Sequence, residues 1–314
     1  MKQKHLEQSL TLKSALQEGT ECLKKAKVPE PELDAWILLE YAAKVERSRY
    51  YLDPERELSE KESSLYMEAI RRRSSRIPLQ HITGEQEFMG FSFRVNPHVL
   101  IPRQDTEILV ETALEKAENH MRILDLCTGS GCIIISLSKM ILEGREPAWE
   151  IECEGSDISP EALKTAKGNA DRLGARVHFI QSDLFENIQG AYDMIVSNPP
   201  YIQTSEIEEL QDEVRLYDPR IALDGKEDGL YFYRRIIEEA REYLSEKGWL
   251  LFEIGWDQKE AVSNLMEEAG YTPVTVKKDL AGLDRVVMGR YNNAWCANRK
   301  EEKGCLQNTR SWSL

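Results

Sequence analysis

Between Arg122 and Met288 the chain alternates short apolar runs with amphipathic stretches, and this rhythm constrains its fold more than any other feature. Arg122 to Leu126, Ile151 to Asp157, Val177 to Ser182, Tyr192 to Ser197 and Trp249 to Ile254 each read as a buried strand, and further strands are expected around Val274–Val276 and Arg285 to Met288. Helical patterns fall between them, from Cys132 to Leu142, from Pro160 to the residue before Gly174, from about Leu230 to Ser245, and from Lys259 to Ala269. Ser159 is placed to cap the second of these helices, with Pro160 at its first position and Gly174 just past its end. Near-continuous apolar strands alternating with helices specify an α/β fold, a doubly wound and mainly parallel seven-stranded sheet covered on both faces.

The chain has 314 residues, beyond the usual size of one domain, so a second, smaller domain is expected. The segment 1–76 reads as helical. Leu12, Leu16 and Leu23 share one face of a first helix, and Leu33, Trp36, Ile37 and Tyr41 one face of a second. Ser59-Glu60-Lys61-Glu62 has the pattern of a capping box and opens a third helix that turns Leu65, Ala69 and Ile70 inward. Residues 77–102 change to short strands with turn residues and are expected to form a β-hairpin linker, with the main domain over 103–290. Residues 291–314 are polar and aperiodic, the composition of a disordered tail.

Hydrophobic residues make up 41% of the chain and charged residues 31%; no apolar run approaches the roughly 20 residues needed to span a bilayer. With no secretory-type leader visible, a cytoplasmic location is expected and no membrane partner. The six cysteines show no Cys-x-x-Cys spacing, so neither a structural zinc site nor a disulfide framework is expected. A formal charge of −14 argues against broad, sequence-independent nucleic-acid binding, and no direct sequence-specific binding is expected either. Arg71-Arg72-Arg73 with Arg76 is the one basic cluster singled out, read as a solvated helix face.

Four expected strands end in polar residues suited to a ligand at the carboxyl edge of a doubly wound sheet. The first runs into Asp125-Leu126-Cys127-Thr128-Gly129-Ser130-Gly131, where the two glycines let backbone approach a ligand. This loop lacks the third glycine of the dinucleotide fingerprint, since Ile134 stands there, and it lacks the Lys-Ser/Thr of a phosphate-binding loop. Asp157 ends the second strand, placed to accept from both hydroxyls of a ribose. Asp183 and Leu184, followed by Phe185, end the third, an acid beside apolar residues fit to hold an adenine. Nucleoside features without a pyrophosphate cradle favour S-adenosylmethionine over NAD or ATP. Asn198-Pro199-Pro200-Tyr201 ends the fourth strand. Two prolines stiffen the backbone, so the Asn198 and Pro199 oxygens can stand as pre-aimed acceptors beside the flat Tyr201 ring. Such a site suits a planar substrate with an –NH2 group.

With these residues the chain resembles class I S-adenosylmethionine-dependent methyltransferases, and among them the peptide chain release factor glutamine N(5)-methyltransferase family known as HemK or PrmC. The resemblance also rests on Pro78-Leu79-Gln80-His81-Ile82-Thr83-Gly84 with Phe88, on Leu100-Ile101-Pro102-Arg103-Gln104-Asp105-Thr106-Glu107, on Asp228-Gly229-Leu230 and on Gly282-Leu283-Asp284-Arg285. It implies a Rossmann-like methyltransferase sheet whose cofactor is lined by Cys127 to Gly131, Asp157, Leu184 and Asn198, beside the Asp183 read from the third strand end. It implies further that Asn198 to Tyr201 hold the substrate glutamine, and that the helical segment helps dock a class I release factor presenting the glutamine of a Gly-Gly-Gln loop. Cys127 stands where glycine is usual. Tyr217-Asp218-Pro219 replaces a more usual Glu-Pro pairing, so no role is carried onto Asp218. A related family that modifies a ribosomal-protein glutamine shares Asn-Pro-Pro-Tyr; Asp105-Thr106-Glu107 tips the choice towards release factors.

Asn198, Pro199 and Tyr201 are thus the expected catalytic group, with no metal and no evident general base. The Asn198 side-chain oxygen and the Pro199 carbonyl would each accept one N–H of the glutamine amide while Tyr201 packs on its plane. Asp125 is read as supporting the loop or meeting the amino acid end of the cofactor. A methyltransferase for the exocyclic amine of adenine is the first rival, weakened by the negative charge and the lack of a basic target-reading region. A catalytically silent cofactor-binding scaffold is the second.

Overall fold

A computed structural model of the chain describes residues 10–143 and 149–291. Of the expected tail, Tyr291 is not disordered but ends the last strand, and the remainder, with Cys296 and Cys305, lies outside the described residues. Two compact units are present. The first takes in the described residues up to Glu85 together with the segment Gln211–Tyr217, and the second takes in 86–210 and 218–291.

The first unit is built on helices α1 (Leu12–Lys25), α2 (Pro31–Ala43), α3 (Arg47–Leu52), α4 (Glu60–Ser74) and α5 (Leu79–Thr83). The Ser59 hydroxyl accepts from the Glu62 amide and Glu62 returns the bond to the Ser59 N–H, completing the capping box at α4. The inward faces differ from those read in the sequence. Leu33 and Leu65 are exposed, and Ala35, Leu38, Leu39 and Tyr66 fill the core instead. Helix α2 packs between α1 and α4, so it buries residues on nearly every side and has no single apolar stripe to read. The basic cluster is also divided: the Arg71 side chain is exposed, whereas Arg73 is buried between Asp34 (2.6 Å) and Glu213 (3.0 Å).

Residues 79–83, expected as strand, form one turn of helix ended by Gly84 at φ +82°. A hairpin follows, β1 (Glu85–Phe88) and β2 (Phe91–Arg94), and then α6 (Glu107–Lys116) leads into the main sheet. Its strands are β3 (Arg122–Leu126), β4 (Glu152–Asp157), β5 (His178–Gln181), β6 (Tyr192–Ser197), β7 (Leu244–Glu253), β8 (Tyr271–Lys278) and β9 (Asp284–Tyr291), with α7 (Cys132–Glu143), α8 (Pro160–Leu173), α9 (Asp212–Tyr217), α10 (Tyr231–Glu239) and α11 (Lys259–Glu268) between them. The order is β5-β4-β3-β6-β7-β9-β8; β9 runs antiparallel to both β7 and β8, and the other neighbours are parallel. β7 is longer than expected, starting at Leu244 rather than Trp249.

Alternation along each strand divides the core between the two faces of the sheet. Ile123, Met194, Val196 and Leu251 pack under α6, α7 and α8 with Val110, Ile134 and Ala166. Leu124, Ile195, Leu250 and Phe252 pack under α10 and α11 with Tyr233, Ile236, Val262 and Met266. Each fully buried Val, Leu, Ile, Phe or Met side chain among them contributes roughly 1.5–3 kcal/mol before entropy is counted. The topology matters for function because the chain winds outward from β3 to β5 and then returns to β6 on the other side of β3. This leaves a crevice at the carboxyl ends of β3 and β6.

Candidate active site

A cavity of about 330 Å³ opens at that crevice. Its wall is made by the loops that follow β3 (Cys127, Thr128, Gly129, Ser130), β4 (Asp157), β5 (Asp183, Leu184) and β6 (Asn198, Pro200). The four strand ends singled out in the sequence therefore converge on one space.

The loop after β3 is held from below. Asp125 is fully buried and accepts from the Thr128 hydroxyl at 2.6 Å, while the Thr128 N–H donates to the Ser156 carbonyl at 2.9 Å. Burial pushes the Asp125 carboxyl up to about 7, against the Thr128 hydrogen bond and with the help of the nearby Asp157 charge. Asp125 does not line the cavity, so of its two expected roles the geometry fits loop support. Gly131 also lies off the wall. It holds φ +80°, and a Cβ there would stand 2.8 Å from Ile135 and 3.1 Å from Ala166, so it lets loop and helix pack closely. Gly129, at φ +56°, has open space where a side chain would project. The Asn169 amide ties the loop to the hairpin, donating to the Ser130 carbonyl (2.9 Å) and to the Arg94 carbonyl (3.0 Å).

Asp157 accepts from the Gly129 N–H through one oxygen and from the Ser159 N–H through the other, both at 2.9 Å. These bonds fix the carboxylate and hold its charge against burial, which still pushes its pKa above the usual carboxylate range. Asp183 is paired with Arg235 at 3.0 Å, a cavity-lining partner that the sequence reading missed because it comes from α10. Leu184 lines the cavity at φ +48°, but Phe185 does not. Its ring stacks on Tyr243 at 4.7 Å within the core, so the apolar contact expected of it falls to Leu184 alone. Cys127 reaches the wall from φ +60°, and burial with the surrounding acids pushes its thiol far above the usual range. It is one of four described cysteines, all free. Gly129's open position, the fixed Asp157 and the Leu184 wall suit a nucleoside-bearing sulfonium such as S-adenosylmethionine.

At the fourth strand end Ser197 donates to the Leu126 carbonyl at 2.8 Å, pinning β6 to β3. Asn198 follows on the cavity wall and its Nδ2 donates to Thr106 Oγ1 at 3.3 Å. Pro199 is buried and absent from the wall. Tyr201 is half-buried behind it. Its hydroxyl lies 3.5 Å from Glu253 Oε1, and its carbonyl accepts from Gln258 Nε2 at 3.0 Å. The segment 223–225 clamps the next residue, with Ile202 donating to the Leu223 carbonyl and Gly225 donating to Ile202. A Cβ at Gly225 would stand 2.7 Å from the Tyr201 backbone.

The Asp105-Thr106-Glu107 element divides its work among three partners. Asp105 pairs with Arg285 (3.1 Å), Thr106 meets Asn198, and Glu107 accepts from the Met89 N–H of the hairpin turn (2.6 Å). Arg103 lines the cavity and pairs with buried Asp218 at 2.7 Å, which gives Asp218 a partner the sequence did not disclose. Glu253 is almost fully buried. Burial pushes its carboxyl up to about 7 despite the Thr106 hydroxyl and the Arg285 charge. Arg235, Gln258 and Glu253 carried no motif of their own, and Thr106 stood in the Asp105-Thr106-Glu107 element without a role; each reaches the site from a distant segment. Among the described residues no cluster of His, Cys, Asp and Glu is placed to hold a metal ion, and no helix is long and apolar enough to cross a membrane.

Comparison with known proteins gives the kinship of this arrangement. Residues 14–84 match the PrmC N-terminal domain, and residues 103–214 match the methyltransferase small domain. The solved hMettl16 catalytic domain in complex with the MAT2A 3′UTR hairpin 6 shares the fold, with a TM-score of 0.52 and 16% identity over 72% of this chain and 82% of that one. The release factor glutamine methyltransferase of Geobacter sulfurreducens is 42% identical over 84% of this chain and 90% of its own length. The enzymes of that name from Koribacter versatilis and Clostridium botulinum are each 41% identical over 90% of this chain and 99% of their own. At this identity over nearly the full length of both partners, the chain belongs to the release factor glutamine methyltransferase family.

Proposed function

We propose that this chain transfers a methyl group from S-adenosylmethionine to the side-chain amide nitrogen of a glutamine, the one in the Gly-Gly-Gln loop of class I peptide chain release factors. The observation that carries this reading is that kinship to enzymes of that name runs over 84–90% of the chain. It therefore includes the helical unit and not only the generic methyltransferase sheet.

The chemistry asks for orientation more than for acid or base. A carboxamide nitrogen is a weak nucleophile because its lone pair is delocalised into the carbonyl. When bound, S-adenosylmethionine supplies an electrophilic methyl on a sulfonium. Asp157 would hold the ribose end through a carboxylate already fixed by two backbone amides, and Leu184 would cover the base. The Asn198 oxygen and the Pro199 carbonyl each accept one N–H of the substrate amide, and the Tyr201 ring bounds its plane. Two acceptors on the –NH2 group favour the more pyramidal nitrogen of the transition state; the nitrogen lone pair would form the N–C bond as the methyl–sulfur bond breaks, S-adenosylhomocysteine would leave as the neutral thioether, and the nitrogen, made acidic by the methyl, would give up one proton to water. Orientation and preorganised dipoles can together supply up to roughly 7–11 kcal/mol. Asp125 supports the loop, and the helical unit docks the release factor. A substrate of this kind also implies a cytoplasmic site of action.

The test is incubation of the purified chain with release factor and methyl-labelled S-adenosylmethionine, followed by peptide mass mapping. One methyl on a single glutamine is expected, and Asn198→Ala should lower kcat at least a thousand-fold while cofactor affinity stays within about threefold. Label recovered only in added nucleic acid, or a near-normal rate in Asn198→Ala, would overturn the reading.

A further inference from the structure

Adenine differs from hypoxanthine, in which an oxygen replaces the amino group, by a donor on the edge of its six-membered ring. A site that reads this difference needs an acceptor held still on the cavity wall beside the base. Asp183 stands on that wall next to Leu184, but its side chain is 37% exposed. A carboxylate so placed can turn about its Cα–Cβ and Cβ–Cγ bonds and hydrate. By itself it would discriminate poorly.

It is not left by itself. The backbone at its root is fixed, because the Asp183 carbonyl accepts from the Glu186 N–H at 3.2 Å and Leu184 turns the chain through φ +48°. Arg235 Nη1 donates to Asp183 Oδ1 at 3.0 Å, reaching it from α10 across a separation of 52 residues. The guanidinium is anchored in turn, since Arg235 Nε donates to Glu239 Oε1 at 3.1 Å, one helical turn further on. A guanidinium is a rigid planar fork, so bonds from Nε and Nη1 to two carboxylates fix its orientation. Asp183 Oδ2 carries no hydrogen bond among the described residues. We propose that Arg235 is a positioning residue for the base of the cofactor: by holding Asp183 Oδ1 it keeps Oδ2 turned to the cavity as the acceptor for the 6-amino group of adenine, so that the site selects an adenosyl over an inosyl ligand. The inference rests on the base lying against Leu184, as in the function proposed above. A carboxylate oxygen accepts and never donates, so it binds a 6-amino group and repels a 6-oxo group. Arg235 and Asp183 both line the cavity and Glu239 does not, so Glu239 acts on the base only through Arg235.

The experiment titrates S-adenosylhomocysteine and S-inosylhomocysteine separately into the full-length, cofactor-free chain by calorimetry and reads the ratio of the two Kd values. Wild type should bind the adenosyl compound about tenfold or more tightly than the inosyl one. Asp183→Ala should lower that ratio about fivefold or more. Arg235→Met keeps the aliphatic stem and removes the fork. It should raise Kd for the adenosyl compound about fivefold or more and leave Kd for the inosyl compound within about twofold. Added to Asp183→Ala, the same change should move neither Kd by more than about twofold, because Arg235 works through Asp183. Glu239→Ala should lower the ratio about twofold or more from a position outside the cavity. A wild type that binds neither compound would overturn the cofactor reading and this inference with it. Binding of both alike, or a wild-type ratio in Asp183→Ala, would leave the cofactor reading standing and overturn this one alone. Equal weakening of both compounds in Arg235→Met would reduce Arg235 to a structural part, and its full effect in the Asp183→Ala background would make it a direct contact. Either result overturns the proposal. If Arg235→Met does not fold, Glu239→Ala decides by the same ratio.

Discussion

Asp125 has a carboxyl where water does not reach, one oxygen taken by Thr128 and the other without a hydrogen-bond partner. Its pKa of about 7 in the folded chain, against roughly 3.9 unfolded, carries a sign. The folded state holds the proton that the unfolded state has already released, so stability is greatest below pH 4 for this group and is lost as pH rises from about 4 to 7. The loss is on the order of a few kcal/mol at most. Asp125→Asn keeps an acceptor for Thr128 and removes the ionisation. The melting temperature of Asp125→Asn relative to wild type is therefore expected to rise between pH 5 and pH 8, measured by thermal unfolding at both. A difference that stays constant across that range would mean the buried proton is not held by Asp125. The residue scale is also where the sequence was most and least legible. Asp157 and Asn198 announced themselves because each is a polar residue at the carboxyl end of an expected strand. Glu253 did not, and Thr106, though part of a quoted motif, gave no sign of its partner, because it reaches Asn198 across a separation of 92 residues and no local pattern encodes that meeting.

Among the elements, two glycines make opposite demands on the same substitution. Gly131 holds a left-handed backbone at the entry to α7, with Ile135 and Ala166 crowding the place of a side chain. Gly168 lies inside α8, exposed, with nothing within 4 Å of where a Cβ would stand. Gly131→Ala is expected to cost about 1–3 kcal/mol and to weaken cofactor binding, because relief of the contact shifts the loop that carries Gly129. Gly168→Ala is expected to stabilise by about 0.4–1 kcal/mol with cofactor affinity unchanged. Denaturant midpoints and cofactor titration of both variants check the pair; equal effects would mean that backbone conformation at Gly131 is not what selects glycine. Caps and strand ends were readable at this scale for a simple reason: Ser59 with Glu62, and Ser159 with the Ala162 N–H it accepts, are contacts within one turn. Helix faces were less readable. A stripe shows only when one side of a helix meets water, and α2 is covered on both sides.

For the molecule as a whole, sequence order and structural unit part company. Gln211–Tyr217 follows the active-site strand in the chain but belongs to the helical unit, where Glu213 binds both Arg73 (3.0 Å) and Arg76 (2.6 Å). Burial raises the Glu213 pKa, and the two guanidiniums more than offset it, holding the carboxyl below its usual range. Two arginines of a cluster that read as a solvated face are thus spent inside the unit, which leaves its surface to other residues. Tyr51 and Leu52, adjacent at the end of α3, are 78% and 79% exposed, unusual for two large apolar side chains in succession. If the helical unit docks the release factor, such a pair supplies the apolar contact that dominates protein recognition. Tyr51→Ser with Leu52→Ser is expected to raise KM for intact release factor about tenfold. The same variant should leave kcat for a short Gly-Gly-Gln peptide and the melting temperature unchanged, since neither residue contributes to a core or to the cavity. Equal losses on protein and peptide would place the defect in folding or chemistry, and no loss on either would move the docking surface away from α3. The split between the two substrates separates recognition by the helical unit from chemistry at the strand ends.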